Sequence, residues 1–144
     1  MVLNLLIDTN VALDVILNRE PFVTVSKKVI DLSKAHTVIN FVSATTVTDI
    51  YYIAYRQLKD RENVMALLKE FLQTVKVANV THREIHAALN LNWADFEDAV
   101  QYAVAMLNNF DGIVTRNMEG FGNDEVKIFT PEEVCRHVEN YFKE

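Results

Sequence analysis

The feature that most constrains this chain is an alternation: short apolar runs take turns with longer segments whose apolar residues recur at helical spacing. Leu3-Asn4-Leu5-Leu6-Ile7 opens the series and stops at Asp8. A strand with apolar residues at successive positions is covered on both faces, the state of a central strand in a parallel sheet. Further strands are expected over 37–42, 74–77, 112–115 and 126–129. Between them the pattern predicts helices over 11–17, broken by Pro21, and over 22–35, 44–58 (behind a Ser43 cap) and 60–71. Thr81 and Glu84 form a capping box for a helix through Leu91, Asp95 opens another through Leu107, and Thr130-Pro131-Glu132-Glu133 starts the last. Strands alternating with helices imply an α/β layered fold with a mainly parallel sheet, which binds ligands beyond the carboxyl ends of its strands.

The length of 144 residues fits one domain spanning 1–144, and three glycines with two prolines leave little room for linkers. The amino-terminal segment lacks the basic start of a secretory signal, and no apolar run approaches the roughly 20 residues needed to span a bilayer. The single cysteine, Cys135, has no partner for a disulfide or a zinc site, so a reducing cytoplasm is expected. A net charge of −6 counts against nucleic-acid binding, which usually presents a basic face. Carboxylates gathered around metal ions would reverse that local field.

The acids fall where the alternation places chemistry. Asp8 follows the first strand, Asp95 and Asp98 share a face at the start of a helix, and Asp49 lies in an otherwise apolar helix. Thr115-Arg116-Asn117 follows the Ile113-Val114 strand. Taken singly, Asp8 reads as a helix cap, and Asp95 and Asp98 as complements of a helix dipole. Taken together, several carboxylates at close quarters repel and call for a cation. An all-oxygen donor set suits Mg²⁺ or Mn²⁺, which can generate hydroxide and stabilise the charge developing on a phosphodiester. The same repulsion leads to the expectation that Asp8→Asn leaves the metal-free fold no less stable.

The segments Leu6-Ile7-Asp8-Thr9-Asn10-Val11, the helix carrying Asp49, Asp95-Phe96-Glu97-Asp98-Ala99 and Ile113-Val114-Thr115-Arg116-Asn117 occur in the order found in PIN domains. The chain therefore resembles the PIN-domain family, the fold of VapC-type toxin nucleases. That resemblance implies a three-layer α/β/α fold and Mg²⁺- or Mn²⁺-dependent cleavage of RNA. It carries metal binding onto Asp8, Asp49 and Asp98, and matches Asp95 to an extra acid of some relatives. Thr115 and Asn117 match residues that orient the acids or the metal-bound water. A homodimer and a cognate antitoxin are further implications. Asp49 stands where many relatives have glutamate, a shorter reach that favours metal contact through water. Gly120-Phe121 replaces an Asp-Phe pair; Glu119 and Asp124 are the nearby acids able to substitute, and the number of metals is left open.

Other readings have particular residues behind them. An aspartyl-phosphate enzyme also uses an aspartate after its first strand, but needs an acid two residues on, where this chain has Asn10. A non-catalytic binding module would account for the missing acid at Gly120 and the acidic balance. Arg19, Arg56, Lys59, Arg61 and Arg116 are candidates for phosphate contact or ordinary surface charge. His36, His82, His86 and His137 form no metal pair beside the acids, and Trp93 is expected to pack.

Overall fold

The computed structural model describes residues 2–122 and 125–141. Among these, β1 (Leu3–Ile7), β2 (Val38–Ser43), β3 (Lys76–Ala78), β4 (Gly112–Val114) and β5 (Ile128–Phe129) form a sheet in the order β3-β2-β1-β4-β5. Every pairing is parallel, with Leu5 opposite Asn40 in β2 and Leu6 opposite Ile113 in β4. The chain builds outward from β1 to β3, then crosses back to β4 and β5. The strand order therefore reverses between β1 and β4, which opens a crevice at their carboxyl ends.

Alternation along the strands divides the core into two. Leu3, Leu5 and Ile7 pack with Val38, Val42 and Val114 beneath α1 (Thr9–Ile16), α2 (Val23–Asp31), α3 (Ala44–Leu58), α4 (Arg61–Phe71) and α7 (Pro131–Tyr141). Leu6 and Ile113 face the other way, against α5 (His82–Leu91) and α6 (Phe96–Leu107). This is the expected three-layer α/β/α arrangement, and it explains why β1 is apolar at successive positions: both faces are covered.

Local chemistry sets the helix ends. Ser43, Thr81 and Asp95 accept backbone N–H groups at their helix starts as expected, and Asp60, expected as the first helical residue, also stands as a cap. Thr130 and Glu133 cap each other's backbone at the entry to α7. Pro21 does not end α1; the helix stops at Ile16, and Asn18 then adopts a left-handed conformation with φ 53°. The helix expected over 22–35 is α2 followed by a tighter 3₁₀ turn, Leu32–Ala35, ended by left-handed His36. β1 keeps its expected limits, and the other four strands are shifted or shortened by one or two residues because pairing decides where they end.

Asn40 is a polar residue in the middle of β2 and is fully buried. Its amide nitrogen donates to the carbonyls of Val29, at 2.9 Å, and Ile30, at 3.4 Å, near the end of α2. These bonds come in addition to those that the Leu32 N–H and the Ser33 hydroxyl give the same turn, and they tie the end of α2 to the sheet. Asn40→Ala should cost about 2 kcal/mol by removing the hydrogen bond that docks α2 and leaving a small cavity at a fully buried position. Thermal melting should show a fall of roughly 4–8 °C with the secondary structure retained; an unchanged melting temperature would assign the amide no part in docking α2.

Candidate active site

The site is built around Asp8, where β1 ends and α1 begins. Its backbone N–H donates to the Val114 carbonyl at 2.9 Å, continuing the β1–β4 pairing one residue past the strand. The side chain is buried and caps α1 by accepting the Thr9 N–H at 2.8 Å. Gln101 Nε2 donates to the same oxygen at 3.2 Å. The other oxygen accepts the Thr115 hydroxyl at 2.8 Å and lies 3.5 Å from the Asn10 amide. The capping and site readings of Asp8 are thus both satisfied by one carboxylate.

Beside it, an open cavity of about 340 Å³ is lined by Asp8, Asn10, Arg19, Asp95, Glu97, Asp98 and Asn117, among others. Asp95 caps α6 by accepting the Asp98 N–H at 3.1 Å, so the cap itself brings two acids together. Burial, reinforced by the charges of Asp8, Asp95 and Glu97, raises the Asp98 carboxyl to about 6. Glu97 is also raised, first by burial and then by Asp49, against the opposing hydrogen bond from the Thr9 hydroxyl at 3.2 Å. Asp49 is half-buried on α3 and raised by burial. It does not line the cavity and acts on it through its charge on Glu97.

Of the residues singled out in the sequence, Asp8, Asp95, Asp98 and Asn117 therefore share one cavity. Thr115 is fully buried and bonded to Asp8, and its hydroxyl also accepts the Asn117 N–H at 3.1 Å. Glu119 is exposed and outside the lining, and Asp124 lies outside the described residues. Gly120 sits so close to Asp98 that a Cβ there would overlap the Asp98 carboxylate. An acid in the usual place of this family would require Asp98 to move.

Three contributors were not legible as site residues: Glu97, Gln101 and Thr46. Gln101 Nε2 spans Asp8 and the Thr46 hydroxyl, the latter at 2.9 Å, and Thr46 in turn meets Thr9 at 3.1 Å. Gln101 lies three residues after Asp98 and Thr46 three before Asp49, so helical spacing was the available signal. Of the scattered basic residues, Arg19 reaches the cavity, whereas Arg56 and Lys59 line a separate one with Tyr52 and Tyr55. Trp93 packs against Tyr102 and Phe121, as expected of a core aromatic.

The donors at this cavity are oxygens, the chemistry of a hard divalent cation. Among the described residues, no three or more acidic, histidine or cysteine side chains lie close enough together to hold a metal ion between them. Mg²⁺ does not need so many: it keeps several waters and uses one or two carboxylates. Asp8 and Asp98 around an open cavity, with further acids at its rim, fit that mode of binding.

Two substitutions should have opposite effects on the metal-free protein. Asp8→Asn places an amide among groups that donate, so about 1–3 kcal/mol should be lost and the melting point should fall. This revises the expectation from repulsion alone, because four donors already surround the charge. Asp98 is the reverse case. Its folded carboxyl is pushed up to about 6, above the ordinary aspartate range, so the folded state holds a proton that the unfolded chain gives up near pH 4, and the charge burdens the fold fully above about pH 6. Asp98→Asn should melt higher than the parent near pH 7.5, and the difference should vanish as pH falls towards 4. Melts across pH check both signs; a destabilised Asp98→Asn at neutral pH would contradict the repulsion.

The comparisons with known proteins agree with this geometry. Residues 4–119 match the PIN domain family. No curated protein matches the chain significantly. Among solved structures, VapBC2 from Rickettsia felis, bound to a promoter DNA fragment, superposes with a TM-score of 0.73 at 15% identity, covering 89% of this chain and 98% of that one. A toxin–antitoxin complex from Klebsiella pneumoniae gives 0.64 at 21% identity, covering 88% and 96%. VapC20 of Mycobacterium tuberculosis, described as a sarcin–ricin loop cleaving toxin, gives 0.64 at 17% identity, covering 85% and 98%. At these identities the likeness speaks for the fold; with the family match over most of its length, the chain belongs to the PIN-domain family.

Proposed function

We propose that this protein is a Mg²⁺- or Mn²⁺-dependent endoribonuclease acting as the toxin of a toxin–antitoxin pair. One observation carries the reading: Asp8, Asp95, Glu97 and Asp98 converge on a single cavity at the point where the strand order of the sheet reverses. Burial, with the neighbouring acids adding to it, raises the carboxyl of Asp98 to about 6, an unfavourable state that a bound cation would relieve.

In this mechanism Asp8 and Asp98 would hold the metal, with Asp95, Glu97 and Asp49 adding negative charge around it. When bound, it would supply Lewis-acid stabilisation of the phosphodiester and a more acidic water. Thr115 and Gln101 keep Asp8 in one orientation by donating to both of its oxygens. Asn117, at the cavity rim, orients the attacking water or the scissile phosphate. Arg19 offers a positive charge at the same rim for a non-bridging oxygen. Single-stranded RNA is the proposed substrate.

The antitoxin partner is proposed from the fold shared with structures of toxin–antitoxin complexes. A homodimer is proposed with it, supported by the exposed strip of Tyr52, Tyr55 and Leu58 along α3. None of the described helices is long and apolar enough to cross a membrane, and the cytoplasm is the proposed location. The second reading, a catalytically weak nucleic-acid-binding module of the same fold, draws on Gly120, which removes one acid and stands against Asp98.

Cleavage of single-stranded RNA in Mn²⁺ or Mg²⁺, abolished by EDTA, is the expected result. Asp8→Asn and Asp98→Asn should each lose activity by several kcal/mol of transition-state stabilisation. RNA binding without cleavage in either metal would select the second reading. Mn²⁺ at a hundredfold excess over its dissociation constant should add about 2.7 kcal/mol, a melting shift of roughly 5–10 °C. Asp98→Asn should show little of that shift; an equal response in parent and variant would remove Asp98 from the metal site.

A further inference from the structure

Asp14 is a carboxylate that the proposed chemistry does not use, yet it is completely buried. Arg116 meets it with two prongs: Nε donates to Oδ2 at 2.7 Å and Nη2 to Oδ1 at 3.3 Å. The Ser26 hydroxyl donates to the same carboxylate at 3.4 Å. The guanidinium also lies over the Phe22 ring, its carbon 3.9 Å from the ring centre. Its backbone is held as well, because the Arg116 N–H donates to Asn10 Oδ1 at 3.3 Å. Asn10 and Asp14 are four residues apart, so one face of α1 grips both the main chain and the side chain of Arg116.

We infer that the Asp14–Arg116 pair is a positioning device for the proposed site, locking the segment after β4 against α1 so that Thr115 and Asn117 are presented to Asp8 and its cavity. Arg116 stands between two residues of the site. Thr115 on one side bonds Asp8, and Asn117 on the other lines the cavity. Asp8, Asn10 and Asp14 belong to α1 and its cap, so the pair ties the two strand ends on which the site is built. A two-pronged guanidinium–carboxylate contact fixes direction as well as distance, which an apolar contact does not. Packing alone does not require it: buried ion pairs are often replaced by apolar residues without loss of stability. Phosphate binding by Arg116 would need the guanidinium to swing away and abandon a charge at zero exposure. This positioning role rests on the nuclease reading above.

The test compares the parent with D14L/R116M and R116K, in Mn²⁺-dependent cleavage of single-stranded RNA and in thermal melts. D14L/R116M replaces the pair with apolar side chains and should melt within a few degrees of the parent. Its KM should stay near parental while kcat falls by up to about 100-fold, the scale expected for a site displaced by around an ångström. R116K keeps the charge and loses the fork, and should fall between the two in kcat. If D14L/R116M does not fold, R116K decides alone. Parental kcat in the folded variant overturns the inference by making the pair a packing element. A loss confined to KM overturns it in favour of phosphate contact. A parent that cleaves no RNA in either metal defeats the nuclease reading, and the positioning role with it.

Discussion

The continuation of β1 onto β4 through the Asp8 N–H and the Val114 carbonyl is the contact on which the site depends. It fixes the first residue beyond β1 against the end of its neighbour, so Asp8 and Thr115 leave the sheet side by side. The 2.8 Å bond between the Thr115 hydroxyl and Asp8 follows from that register. Neither residue can move without disturbing the pairing of two buried central strands. A carboxylate held this way has little orientational freedom to lose when it takes a ligand.

Around that fixed point the protein treats two aspartates differently. Asp8 is buried but surrounded by donors, which compensate its charge. Asp98 is half-buried among acids, and its carboxyl rises to about 6. The first is stable where it stands and the second is not. A cation between them would gain its electrostatic advantage from Asp98 and its geometric definition from Asp8. Burial and the charge of Asp8 produce most of this imbalance, and the capping of α6 by Asp95 adds to it, because the bond that starts the helix also sets Asp98 near its own cap.

Polar groups within the fold are mostly engaged in holding elements together at this edge. Gln101 reaches from α6 to Asp8 and to Thr46 on α3, and Thr46 meets Thr9 on α1. Three helices from both layers are thereby joined around the end of β1. Asn40 performs a simpler task away from the site, fastening the end of α2 to β2. Others among the described residues act locally, as Glu84 does with Thr81 at the start of α5, whereas these fix where separate elements meet.

Much of this was legible in the sequence. The apolar run of β1, the helical spacing and the caps at Ser43, Thr81, Asp95 and Thr130 are local properties, carried by residues within a few positions of one another. They determine which elements form and, through right-handed parallel connections, the layered class of the fold. The candidate acids could be ranked because they fall at element ends. Which acids share the cavity was decided by tertiary structure: Asp49 is outside its lining and acts through its charge on Glu97, while Glu97, not distinguished by spacing, lines it. The pairing of Asp14 with Arg116 spans 102 positions, and that of Gln101 with Asp8 spans 93. No local pattern encodes such contacts, since they exist only when the strand order brings β1, β4 and α6 to one edge.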